Sequence, residues 1–287
     1  MTRADIFTDL NDFAKYAPGI DASTDIRQLE PHIKIITSEI FHLITPAAYL
    51  ALRSTPPEDT EDSLKEAWPE GLELLKTAVA SGTLYKYQIF ITASKAGSEA
   101  ALYKYQHEEI KRAHLDAYWS ALDELLEWLD SHPAIGGFAD SYIRKERQEL
   151  PVSSAAEFDR YFQIDRSAYF FSRIQYLIRE QWIRLKRIVS MDDEEMAELA
   201  KRALCYRVMA RVVMTFDVTE WPKCIRYDFN HEYTKGSDIQ ERRTLAGQFT
   251  AEAETNEQQI ATLQSRKMGA GSRENQNTED SKHYFTL

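Results

Sequence analysis

Between Tyr105 and Asp130 the apolar residues Leu115, Tyr118, Leu122, Leu125 and Leu129 fall three and four positions apart, and His132-Pro133 with Gly136-Gly137 ends the run. Side chains at that spacing share one helical face, which must be covered by another element. The rhythm recurs along the chain and predicts an all-α fold, a multi-helix bundle with an extended C-terminal helix and tail.

The other segments follow from local chemistry. Arg3 to Tyr16 reads as a short helix with Ile6, Leu10 and Phe13 on one side, stopped by Pro18-Gly19. Glu30 to Ile44 carries Ile33, Ile36, Ile40 and Leu43, with Pro31 in the first turn, where a missing N–H is harmless. Thr45 then caps a new helix that begins at Pro46 and runs to Arg53. Thr55 to Asp62 reads as a loop, and Pro69 begins a helix carrying Leu72, Leu75 and Val79. Leu84 to Thr92, dense in Tyr, Ile and Phe, fits either a strand pair or the continuation of that helix.

Ser153 or Ser154 caps the next helix, with Glu157 placed to complete a capping box and Phe158, Tyr161 and Phe162 facing the core. Asp165 to Ser190 follows, with Phe170, Ile174, Leu177, Leu185 and Ile188 on one stripe. Asp192 or Asp193 starts a helix carrying Met196, Leu199, Ala203, Val208 and Val212. Beyond Trp221-Pro222 the pattern fades. Ser237 to Gln264, with only Ile239, Leu245, Phe249, Ile260 and Leu263, reads as an exposed polar helix, and Lys267 to Leu287 has too little apolar surface to fold alone. The expected organisation is a bundle over 1–235, an exposed helix over 236–266 and a tail over 267–287 whose Tyr284, Phe285 and Leu287 are candidate anchors on a partner.

A net charge of −11 opposes non-specific attraction to DNA or anionic membranes. No stretch approaches the roughly 20 apolar residues of a membrane span, and Met1 to Asp5 lacks the apolar core of a signal peptide, so a protein made or assembled in the cytoplasm is expected. Cys205 and Cys224 belong to no metal-spaced set and read as buried thiols.

Motifs for chemistry are sparse. Neither a phosphate-binding glycine loop nor a nucleophile elbow occurs, and His107 and His114 lie two turns apart, off the spacing of a zinc-binding pair. Glu39-Ile40-Phe41-His42 is a Glu-x-x-His of the type di-iron bundles use; its nearest analogues are Asp228 with His231 and Asp280 with His283. A second such helix and two further glutamates are needed, so catalytic, cofactor and metal residues are each expected to be none. One basic region stands out: Arg173, Arg179, Arg184, Lys186 and Arg187, then Lys201, Arg202, Arg207 and Arg211. It suits an acidic partner or nucleic acid, or a solvated helix pair matched by nearby carboxylates. The aromatic surplus, including Tyr103, Trp119, Trp128, Tyr169 and Trp182, is explained by core packing and subunit contacts, with the Phe170-Phe171 doublet giving one ring to the core and one to a neighbour.

Tyr103-Lys104-Tyr105-Gln106, Ala121-Leu122-Asp123-Glu124-Leu125-Leu126-Glu127-Trp128-Leu129, the Ser154 to Ile164 element and the ensuing Arg166-Ser167-Ala168-Tyr169-Phe170-Phe171 resemble an uncharacterised family carried by Bacteroidota phages and prophages among their virion genes. The likeness runs from the Pro31 helix to the polar C-terminal helix, and no catalytic residue carries over. The resemblance implies a non-enzymatic virion protein assembled in the host cytoplasm, a head–tail connector or adaptor that binds portal and tail or neck proteins, with DNA passing through its channel. A tail terminator, another neck protein, or a metal-binding bundle enzyme centred on Glu39 and His42 is the alternative. Such connectors ring up in about a dozen copies, and a ring needs two different complementary faces on each subunit. Arg173, Arg184 and Arg187 are the expected partner contacts besides the tail anchors, and no membrane is implied.

Overall fold

A computed structural model describes residues 6–17, 20, 24–95, 104–189, 191, 193–226 and 235–274. They are helical and turn segments, with no strand among the described residues: the fold is all-α. The chain divides into two compact units, Met1–Gln148 with Ser167–Ser172, and Glu149–Arg166 with Arg173–Leu287.

In the first unit, α1 (Leu10–Tyr16) is capped by Asp9 and shorter than the helix expected from Arg3. Helix α2 (Ile26–Ile44) starts four residues before the expected Glu30, because the Asp25 carboxylate accepts the Arg27 N–H and supplies the cap. Pro31 therefore lies inside α2. At Thr45, whose φ is 75°, the chain turns, and the Thr45 hydroxyl caps α3 (Pro46–Arg53) by accepting from the Ala48 N–H.

Helix α4 (Asp62–Lys95) corrects two expectations: it begins before Pro69, and it absorbs Leu84 to Thr92, removing the strand alternative. Trp68 explains the early start. Its ring is buried and its Nε1–H donates to the Ser54 carbonyl at 3.0 Å, an anchor that offsets the backbone hydrogen bond Pro69 cannot donate. Helix α5 (Lys104–Ser131) lies along α4, and the approach is close because glycine allows it. A Cβ on Gly71 would stand 2.4 Å from the Trp128 ring, and one on Gly82 would meet Tyr118 at 2.7 Å and Ile36 at 2.9 Å. Leu29, Ile33, Ile36, Ile40 and Ile44 of α2 fill the core beside them.

A 3₁₀ turn over Ile135–Asp140 sits on α3, where Gly136 at φ 53° brings its backbone against Ala48, and α6 (Tyr142–Gln148) follows. Residues 167–172 belong to this unit through Asp123 of α5, whose Oδ1 accepts from the Ser167 hydroxyl at 2.9 Å and the Tyr169 N–H at 2.7 Å. Phe170 and Phe171 are both buried within the chain, so the expected division between core and neighbour does not hold.

In the second unit, Ser154 caps α7 (Ala155–Asp159) by accepting the Glu157 N–H, while the Glu157 carboxylate reaches back to the N–H of Ser153, not of Ser154. Asp159 then accepts the N–H groups of Ile164 and Arg166, pinning a loop in which Asp165 and Arg166 adopt φ of 56° and 53°. Helix α8 (Ala168–Leu185), of which the residues from Arg173 onward belong to this unit, thus starts three residues later than Asp165 and ends before Ser190. Asp193 caps α9 (Glu194–Thr215), a helix buried along Ala200, Ala203, Leu204, Val208 and Val212. After α10 (Lys223–Arg226) comes α11 (Lys235–Glu274), which packs along α9.

Helix α11 differs from the exposed helix expected over 236–266. Ala246, Ala253, Asn256 and Ile260 are buried and, with the half-buried Phe249 and Leu263, form a strict three-and-four seam of the coiled-coil type. It also continues through 267–274, residues expected to belong to the tail. Arg242 donates to the carbonyls of Val213 at 3.1 Å and Phe216 at 2.8 Å, closing the C-terminal end of α9 where orphan carbonyls and the helix dipole favour a cation.

Candidate functional site

The basic stretch on α8 and α9 separates into cations held inside the second unit and cations turned outward. Arg173 donates to Glu220 at 2.7 Å and stacks on Phe216, and Lys201 donates to Glu157 at 2.8 Å. Arg207 makes a two-pronged pair with Glu257 of α11, both contacts at 2.8 Å. The hydrogen bonds from Glu257, foremost, hold the Arg207 guanidinium pKa above its usual range. Three of the basic residues are therefore fasteners between helices. Of the expected partner contacts, Arg173 is one of these, Arg184 reaches only Glu180 on its own helix at 3.4 Å, and Arg187 is exposed. Tyr284, Phe285 and Leu287 lie outside the described residues.

The outward side of α8 carries more than charge. Tyr176 and Ile183, two turns apart on one face, remain 55% and 45% exposed. Arg179 lies between them, and Arg184, Lys186 and Arg187 are exposed at one end. Ile188, expected in the core stripe, is 47% exposed because α8 ends at Leu185 and the following turn carries Ile188 off the helical phase. The sequence reading missed Tyr176 and Ile183. Both lie out of phase with Phe170, Ile174 and Leu177, and that mismatch was the available signal.

The metal candidate behaves differently. Glu39 accepts from the Tyr118 hydroxyl at 3.2 Å and pairs with Lys86 at 3.1 Å, while His42 is exposed. Among the described residues no three His, Cys, Asp or Glu side chains converge as metal ligands. The analogue pairs at Asp228 with His231 and at Asp280 with His283 lie outside the described residues. His107 shares α5 with His114, whose imidazole is held below its ordinary pKa by burial.

Cavities in the second unit are open and modest. One of 470 Å³ is lined by Phe162, Cys224, Ile225, Leu245 and Phe249, with Glu241, Thr244 and Gln248 at its polar margin. The Cys224 thiol, pushed up to about 11 chiefly by burial, donates to the Gln163 carbonyl. It is a protonated, weakly nucleophilic group. Cys205 is buried and its pKa is pushed well up by burial, and both cysteines are free. A larger cleft of 930 Å³ runs between the first turns of α9 and the far part of α11, lined by Glu194, Glu195, Glu198, Arg202, Gln259 and Arg266 among others. Glu198 accepts from the Tyr161 hydroxyl, and Lys267 pairs with Asp193.

The arrangement is suited to binding through a helix face on which exposed apolar side chains and cations are interleaved. No single helix among the described residues is long and apolar enough to cross a membrane. Comparison with known proteins gave no matching family model, no matching curated protein and no matching solved structure.

Proposed function

We propose that this protein is a non-enzymatic structural subunit of a phage virion, a head–tail connector that joins like copies of itself into a ring between portal and tail. The observation that carries the reading is the outward face of α8 and the turn after it, where Tyr176 and Ile183 stand exposed among Arg179, Arg184, Lys186 and Arg187. Aromatic and arginine side chains are favoured at protein contacts, and apolar side chains interleaved with cations suit an acidic protein surface. The resemblance to virion proteins of Bacteroidota phages supplies the setting, and the net charge of −11 supports protein over nucleic acid as the partner of the chain as a whole. A metal-dependent reaction is less well supported, since Glu39 is already engaged by a lysine and a tyrosine.

The test is composition of the particle. Mass spectrometry of purified virions from a phage or induced prophage encoding the chain should find it in many copies, at a fixed ratio to portal. Its absence from intact particles would overturn the virion role.

A further inference from the structure

The first unit presents a surface whose charge is the reverse of the α8 face. Along α4, Asp62, Glu66, Glu70 and Glu73 are exposed at intervals of four, four and three, so they form one stripe, with the exposed Pro69 set among them. Glu58, Asp59 and Glu61 on the preceding loop extend it, and Lys65 is the one cation in the interval 58–73. Lys65 is engaged locally, by Asp62 at 3.4 Å and the Glu58 carbonyl at 2.9 Å. Seven carboxylates against one ammonium give that interval a net charge of −6. On α8 and the turn that follows it, the interval 176–187 carries Arg179, Arg184, Lys186 and Arg187 against Glu180 alone, a net charge of +3.

The helical part of the acidic stripe, 62–73, with a net charge of −3, matches the 176–187 stretch, with +3, in length as well as in opposed sign. Each runs over eleven residue steps, from 62 to 73 and from 176 to 187, or about 16 Å where helical. Both also carry exposed apolar surface: Tyr176 and Ile183, with Arg179 between them, on one, and Pro69 among the carboxylates on the other.

We infer that the α8 face of one copy docks on the acidic α4 stripe of a second copy of this chain. The contact uses two different faces, so it is head-to-tail, and repetition makes a ring when the rotation closes. The inference rests on the self-association in the proposed function and assigns its two surfaces. Opposed charge sets register and speeds encounter, while burial of Tyr176 and Ile183 contributes the apolar part.

Charge reversal with complementation tests it, using the full chain and analytical ultracentrifugation over a range of concentrations. The wild type should associate, and association should weaken as salt shortens the screening length from about 10 Å at 0.1 M to about 3 Å at 1 M. The double variants K186E/R187E and E66K/E73K should each weaken self-association at least tenfold. None of these four side chains is a fastener, and circular dichroism with a thermal melt identifies any variant that has lost its fold. Mixing the two variants should restore assembly, because each then offers the face the other needs. Wild-type assembly indifferent to both reversals would sink this contact while leaving the virion role to the particle composition. Loss in each variant without recovery on mixing would also sink it, and a wild type monomeric at every concentration would remove self-association altogether.

Discussion

The α4–α5 contact in the first unit and the α9–α11 contact in the second solve the same problem by different means. At α4–α5, large rings of one helix lie directly on glycines of the other: Trp128 on Gly71 and Tyr118 on Gly82. Shape does the work, and the chain has no slack there. Along α9–α11 the seam is thin, made of Ala246, Ala253, Asn256 and Ile260, and reinforced by the Arg207–Glu257 pair and by Arg242 on the end of α9. The first unit should therefore be intolerant of added atoms, and the second should respond to lost atoms and to acid.

The largest effect is expected where close approach and backbone conformation coincide. Gly136 sits at φ 53° with a would-be Cβ only 2.4 Å from the Ala48 Cα, whereas Gly137 at φ 70° has nothing within 4 Å. Gly136→Ala combines left-handed strain of about 1–2 kcal/mol with a backbone collision at the upper end of the overpacking range, about 4 kcal/mol in total. Gly137→Ala meets the strain alone, about 1 kcal/mol. Urea unfolding of the two variants measures the difference, and equal costs would show that α3 yields to the 3₁₀ turn.

In the second unit, Ile260→Ala should cost about 2–3 kcal/mol, the low part of the range for such truncations, since a helix exposed beside its seam can settle into the gap. Hydrogen exchange should accelerate on α11 first. Uniform acceleration over α4 and α5 as well would mean that the two units do not respond separately.

Much of the first unit was legible because its signals are strong and local. Five apolar residues in helical phase mark α5, and Thr45-Pro46 marks the break between α2 and α3. The start of α4 was not legible, since Pro69 is a boundary signal and what overrides it, the burial of Trp68 and its hydrogen bond to Ser54, is set by distant contacts. The α11 seam was hidden for another reason: three of its four buried positions are two alanines and an asparagine, which do not stand out as apolar, although their three-and-four spacing with Phe249, Ile260 and Leu263 was there to be counted. The α8 face was half seen, through its arginines. Tyr176 and Ile183 were overlooked because an apolar residue is assumed to be inside, and only its phase shows otherwise.

Acid should act on each unit through a carboxylate whose pKa is lowered by its partners. Burial pushes the Glu157 carboxyl up, but the hydrogen bonds from Lys201 and the Ser153 N–H and the Lys201 charge outweigh it, leaving the pKa lowered. Asp12 in the first unit is lowered in the same way against burial, by Lys76 and the Thr8 N–H. A carboxylate with a depressed folded pKa contributes stability that is present above its unfolded value, near pH 4, and is lost as pH falls through the folded value. Glu157→Gln should flatten the acid dependence of exchange at α9, and Asp12→Asn that at α4, each leaving the other unit's profile unchanged. Coincident profiles would show that acid opens the chain as a whole.

The smallest effect has the opposite sign. Gly247 lies on the exposed side of α11, one residue beyond the buried Ala246, and a Cβ built there meets nothing within 4 Å. In contrast to Gly71 and Gly136, it serves no close approach, so its effect is the entropic penalty of glycine inside a helix. Gly247→Ala should stabilise by about 0.5–1 kcal/mol, with exchange slowed mainly along α11. A destabilising result would mean that this side of α11 is covered by something the chain itself does not provide. That would extend the docking surface from α8 to α11.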